Sequence, residues 1–259
     1  MLCWRRPEFR PNGLRAGLVL AIGLAGSLLQ PASASGQTNA ASPYEFRNPH
    51  GPDGIGKFYR GREIAQVMGH QGADWLERPE REAEEHTELL VEHLKLMPGE
   101  VVADIGAGTG YFSRRLARKV GPAGKVLAVE IQPEMLELLT NKMASLGITN
   151  VTPVLGTVTN PLLPASSVDL ALLVDVYHEF DFPREMMQGI CRALGPGGRV
   201  VLVEFRGEDP NVPIKPLHKM TTAQVKTEMS DLPVDWSETI EVLPRQHIIV
   251  FTKRVDRSR

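Results

Sequence analysis

Four stretches of this chain, "VVADI" (101–105), "KVLAVE" (125–130), "VDLALLVD" (168–175) and "RVVLVEF" (199–205), are apolar at almost every position. A strand with one wet face alternates apolar and polar residues, so unbroken apolar runs mark strands covered on both faces. Segments of helical character separate them: Tyr111 to Val120, Pro133 to Leu146 before Gly147, and Pro183 to Leu194, closed by "GPGG". Proline at the start and glycine after the end are the expected punctuation of such helices. With the shorter strand "VTPVL" (151–155), the alternation predicts an α/β domain built on a doubly wound, mostly parallel sheet. A polar helix follows near Thr222 to Ser230. The last two runs, "ETIEVL" and "HIIVFTK", are only a few residues apart, which predicts an antiparallel hairpin at a sheet edge.

Upstream, a helix is expected from Pro79 to Met97, with acids in its first turns and Leu90, Leu94 and Met97 on one face. Residues 35 to about 60 are rich in Pro, Gly, Asn and Ser without a sustained period. They read as a linker into an irregular cap, so the expected division is 35–78 for linker and cap and 79–259 for the main domain.

The turn after the first apolar strand is "GAGTG", with Gly106, Gly108 and Gly110. A glycine loop between strand and helix lets backbone amides approach a ligand, and the helix N-terminus adds positive potential. The spacing is GxGxG. The dinucleotide fingerprint needs its third glycine one place later, where this chain has Tyr111. Asp104 stands two residues before the first glycine; a carboxylate there repels a pyrophosphate and suits a ligand carrying an ammonium and a sulfonium. The plainer role for Asp104 is to cap or brace the following helix.

"VVADIGAGTG", "VLAVEIQPEML", "SSVDLALLVDVYHEF" and "LGPGGRVVLVEF" occur in this order. On these motifs residues 85 to 255 resemble the class I S-adenosylmethionine-dependent methyltransferases. The resemblance implies a Rossmann-like, seven-stranded sheet with an antiparallel C-terminal hairpin, and S-adenosylmethionine as cofactor. It implies that Asp104 and the loop Gly106, Ala107, Gly108, Thr109 and Gly110 hold the methionine portion. Glu130 would accept from both ribose hydroxyls, Ile131 would pack on adenine, and Asp175 and Val176 would border the reacting methyl group. Many relatives carry an acid after the third strand for the adenine amino group, and here Thr157 stands in that place.

In "DVYHEF", Tyr177 and His178 are candidate catalytic residues, His178 as a general base; the alternative is that both only cap the loop and pack on the next helix. Histidines 86 and 93 are two helical turns apart, too far for one ion, so no metal site is expected. "GKFYRGREIAQVMGHQGADWLERP" reads equally as a lid or as an arm packed on the sheet. In "FRGEDPNVPIKPLHKM", Arg206, Lys215, His218 and Lys219 favour an anionic substrate unless they are simply solvated.

The first 34 residues have a separate character. Four arginines precede an apolar run from Ala16 to Leu29, and Ala32-Ser33-Ala34 fits a cleavage site. This is the pattern of a signal peptide, predicting an exported, periplasmic or secreted protein, with an uncleaved membrane anchor as the alternative. A net charge of −2 gives no basic excess for nucleic acid. Cys191 is the only cysteine outside that segment, so no disulfide or thiolate metal site is expected. The expected acceptor is a small molecule. Two alternatives to methyl transfer stay open: an inactive envelope protein that binds S-adenosylmethionine or its demethylated product, and a dehydrogenase with a degenerate loop.

Overall fold

The computed structural model describes residues 42–255. The signal or anchor expected over residues 1–34, with its cleavage at Ala34, lies outside the described residues.

The main sheet has seven strands: β4 (Val101–Ile105), β5 (Lys125–Glu130), β6 (Val151–Leu155), β7 (Val168–Val174), β8 (Leu194–Phe205), β9 (Val234–Ile240) and β10 (Gln246–Lys253). Their order is β6-β5-β4-β7-β8-β10-β9. The first five run parallel, while β10 pairs antiparallel with both β8 and β9, which is the edge hairpin expected from the sequence. Chain reversal between β6 and β7 puts the topological switch beside β4, where a ligand crevice opens in such sheets.

Two-residue alternation divides each apolar strand between two cores. Ala103, Ile105, Ala171 and Leu173 face α6 (Pro183–Ala193) and α7 (Thr222–Met229), through Met186, Met187, Ile190, Val225 and Met229. Val102, Leu170 and Leu172 face α3 (Thr87–His93) and α4 (Ser113–Val120), through Leu90, Val91 and Leu116. On that same side Ala128 meets Leu139 and Met143 of α5 (Pro133–Ser145). Free Cys191 is buried in the first core. Among the described residues no helix is long and apolar enough to cross a membrane.

The N-terminal part differs from expectation. The irregular cap contains a three-stranded antiparallel sheet, β1 (Tyr44–Phe46), β2 (Gly54–Tyr59) and β3 (Arg62–Ala65). Strands of three, six and four residues are too short to show a period, and β2 carries two glycines and a lysine. They are stable here through docking: Tyr44, Tyr59 and Ile64 pack with Phe182. The Lys57 ammonium lies 3.2 Å from the Phe182 ring centre and donates to the Asp181 carbonyl at 2.5 Å.

The helix expected over 79–97 is broken. Besides the short α1 (Ala73–Leu76) there are α2 (Arg81–Glu85) and α3, separated by His86 at φ 52°. The break lets Arg81 and Glu85 turn towards the sheet's ligand edge while α3 covers the core. Met97, expected on the apolar face, is instead exposed. Helix α4 begins at Ser113 because Tyr111 and Phe112 complete the glycine turn and pack inward.

Candidate active site

A cavity of about 670 Å³ opens at the carboxyl ends of β4, β5, β7 and β8, floored by Ile105, Val129, Val174 and Phe205. Gly106, Gly108, Glu130, Ile131, Asp175 and Val176, all named from the sequence, line one half of it. His178, Glu179, Asp181, Ile214, Lys215 and His218 line the other. The segment after β3 supplies a further wall through Gln66, Val67, Met68, Trp75 and Leu76.

The glycine loop closes on the carboxylate of Glu130. Its Oε2 accepts from Gly108 N at 3.0 Å, and its Oε1 accepts from Ile131 N at 2.7 Å and Gln132 N at 3.0 Å. Burial raises the Glu130 pKa, against the lowering by these three amides. Three amides leave a carboxylate with spare acceptor capacity. At Gly106, φ is +71° and a Cβ would lie 2.4 Å from Val176 Cγ2. Gly106→Ala therefore combines left-handed backbone strain with displacement of a cavity wall. We expect a loss of about 1–3 kcal/mol in urea unfolding.

Asp104 does not line the cavity. It is 3% exposed and accepts from Ser113 Oγ at 2.6 Å, so it braces the start of α4 beneath the loop. That is the plainer of the two roles read from the sequence. Burial pushes its pKa up to about 6, against the lowering by Ser113. A carboxylate whose folded pKa exceeds its unfolded value stabilises the fold fully only below the unfolded value, and that contribution is lost as pH rises through the folded one. Measured against Asp104→Asn, wild-type stability should therefore fall by roughly 3 kcal/mol from about pH 4 to above pH 6. Urea unfolding of both proteins across that range checks it.

Ala107, Thr109 and Gly110 also lie behind the cavity. Ala107 packs with Leu139 and Met143, and Thr109 Oγ1 donates to Glu77 at 2.7 Å. Thr157 is exposed in a tight turn with Asn160, and Val158 lines the cavity in its place. Tyr177 does not reach the cavity: its ring is fully buried and its hydroxyl donates to Glu228 Oε2 at 2.7 Å. The cations of the loop after β8 make contacts within the protein. Arg206 turns outward to Glu241, Lys219 donates to the carbonyls of Asp209 and Val212, and Lys215 pairs with Asp53.

Asp175, at φ 50°, receives Gln246 Nε2 on Oδ2 at 2.9 Å, while its buried Oδ1 has no hydrogen-bond partner among the described residues. Burial, with Glu85 and Glu204 nearby, holds its pKa well above the carboxylate range. Arg81 lines the same half and is paired with Glu85 Oε2 at 2.9 Å. Gln132 ties the overlying wall down, donating to Met68 O and accepting from His70 N. Sequence reasoning missed Arg81, Glu85, Gln132, Glu204 and Gln246. Only Glu204 left a signal, as an acid inside an apolar strand.

Residues 96–249 match the family described as "Methyltransferase domain". Among curated relatives, the chain is similar to the ubiquinone/menaquinone biosynthesis C-methyltransferase of Pasteurella multocida, 25% identical over 56% of this chain and 54% of that protein. It is also similar to a protein-L-isoaspartate O-methyltransferase of Ignicoccus hospitalis, 28% identical over 44% of this chain and 51% of that one. The chain thus spans about half the length of these curated relatives. A SAM-dependent methyltransferase from Aquifex aeolicus shares the fold, with a TM-score of 0.68 at 22% identity, over 72% of this chain and all of that one.

Proposed function

From the premise that this chain belongs to the methyltransferase-domain family, matched over 96–249, we propose that it transfers a methyl group from S-adenosylmethionine to a small molecule held in the 670 Å³ cavity. The observation that carries this reading is the polar pattern of the cofactor half. Asp175 lines the cavity beside Gly106 and Val176 and brings an acid group to that end of it. It suits the ammonium of a methionine moiety. Glu130 has acceptor capacity for a ribose diol, Ile131 offers an apolar surface for adenine, and Arg81 stands where a carboxylate would be met. Gly106 and Gly108 keep the backbone open to a bound molecule, since a Cβ at either position would collide with a wall residue.

When bound, the cofactor supplies a sulfonium-activated methyl group. The protein's part is then to align donor and acceptor and to exclude water, through Val176 below and Met68, Trp75 and Leu76 across the wall. His178, Glu179 and His218 occupy the acceptor half. The acceptor itself is a matter of that half's shape, since relatives on this fold methylate at carbon and at oxygen. The family match lends no support to a catalytically inactive protein or to a dehydrogenase.

The test is a calorimetric titration of S-adenosylmethionine and S-adenosylhomocysteine into the folded full-length chain. One site per chain is expected, and a folded protein that binds neither would overturn the proposal. We further propose that residues 1–34 direct the protein out of the cytoplasm, supported by the arginines ahead of the apolar run and by Ala32-Ser33-Ala34. Sequencing the N-terminus of protein recovered from fractionated cells should give a start at Ser35; a start at Met1 in the cytoplasmic fraction would refute it.

A further inference from the structure

The acceptor half contains an arrangement that neither the sequence nor the family match assigns. His178 Nε2, Glu179 Oε1 and His218 Nδ1 converge at separations of 3.2, 3.4 and 3.9 Å. Among the described residues these three form a group of the kind that can hold a metal ion. We propose that they bind one divalent transition-metal ion, of the class that zinc represents.

The geometry favours an ion over a simple contact. Atoms at these three separations share a point about 2.1 Å from each, which is the bond length of zinc to imidazole nitrogen and carboxylate oxygen. Ligands of a tetrahedral ion at that bond length stand about 3.4 Å apart, close to the observed spacings. The imidazole planes are inclined at 76° with ring centres 5.0 Å apart, so the two rings are not stacked. Two imidazoles and one carboxylate are a donor set for zinc or iron rather than for magnesium or calcium.

The surroundings of the ligands are also built for this. His178 Nδ1 lies 2.5 Å from Glu204 Oε2, and Glu204 is fully buried in β8, with its other oxygen accepting from Tyr177 N at 3.0 Å. A carboxylate on one ring nitrogen fixes the proton there and leaves the lone pair of the other free, the usual support of a metal-bound histidine. The second oxygen of Glu179 accepts from Met68 N at 3.3 Å, leaving Oε1 for the ion. Arg62 Nη1 donates to the His178 carbonyl at 3.0 Å and fixes the backbone of the turn.

All three ligands line the cavity, so its interior can complete the coordination shell. Resting on the methyl-transfer reading, this points to acceptors with a hydroxyl or thiol, which an ion would bind in the deprotonated form, the proton passing to solvent. His178 is then a ligand and not a free base.

The experiment uses the untagged full-length chain, stripped with chelator. Zn²⁺ is titrated by calorimetry and Co²⁺ by visible absorption, for wild type, His218→Ala, Glu179→Gln and Glu204→Gln, each checked for folding by circular dichroism. One ion per chain is expected, with Co²⁺ bands of a low-coordinate site. His218→Ala and Glu179→Gln should each weaken Zn²⁺ binding about 100-fold or more, and Glu204→Gln about 10- to 100-fold. Folded wild type that binds neither ion stoichiometrically, or binding equal to wild type in both ligand variants, overturns the proposal. S-adenosylmethionine affinity measured on the same samples keeps the two readings apart: cofactor binding without metal binding removes this site and leaves the methyltransferase reading intact.

Discussion

Replacing Glu228 with alanine is expected to lower the free energy of unfolding by about 3–5 kcal/mol, because it strands a buried guanidinium. Glu228 in α7 is fully buried and accepts from Arg62 Nε at 2.7 Å, Arg62 Nη2 at 3.0 Å and the Tyr177 hydroxyl at 2.7 Å. Arg62 belongs to β3, so one carboxylate joins the N-terminal sheet, α7 and the turn that carries His178. Burial works against the Arg62 charge, and the Glu228 carboxylate more than offsets it, holding the guanidinium pKa above its ordinary value. Removing the anion leaves both the cation and the Tyr177 hydroxyl without their acceptor. The double variant Arg62→Met, Glu228→Met should recover much of the loss, since an apolar pair of similar size avoids the stranded charge. Urea unfolding of wild type, single and double variants measures both effects. A single-variant loss under about 1 kcal/mol would mean that Arg62 reaches water and that the network does not clamp the N-terminal sheet.

Glu130→Ala should weaken S-adenosylmethionine binding by roughly 100-fold or more. Two hydrogen bonds from a ribose diol to a carboxylate are each worth about 1.5–3 kcal/mol, and about 3 kcal/mol corresponds to a hundredfold change in affinity. The variant also releases the amides of Gly108, Ile131 and Gln132, so a loss of about 1–3 kcal/mol in unfolding should accompany it. Glu130→Gln is no milder, because its amide nitrogen must face backbone donors that now meet a carboxylate oxygen. Thr157→Ala should leave affinity within about threefold, since that hydroxyl is turned into its own loop, towards Thr159 and Asn160. Calorimetry on folded variants decides the matter. Unchanged affinity in Glu130→Ala would place the ribose elsewhere.

These predictions rest on residues that were unequally visible in the sequence. Gly106, Gly108 and Glu130 could be named because each sits at a strand end, in a turn whose spacing is local. Asp104 was named too, but its spacing could not say that the side chain turns to Ser113 and away from the cavity. Thr157 and Tyr177 stand at the expected positions, yet the turn at Asn160 and the buried Glu228 take their side chains elsewhere. Glu204 was visible only as an oddity, an acid in "RVVLVEF", and its partner His178 was legible only as a candidate base. His218 was singled out for its charge, whereas in the fold it faces Glu179 and His178.

The sequence by itself determined the apolar strands of a mostly parallel sheet, the helices between them and the glycine turn, while the count of seven in one sheet came from the family resemblance. The strands, helices and turn follow from periodicity and from the conformational limits of a few adjacent residues, both of which act over short stretches of chain. Tertiary structure alone decided the N-terminal sheet, the clamp and the three converging ligands. Arg62 and Glu228 are 166 residues apart and His178 and His218 are 40 apart. Segments with no period of their own acquire structure only from the surface they dock on, and a contact between distant side chains is set by packing that no local pattern records.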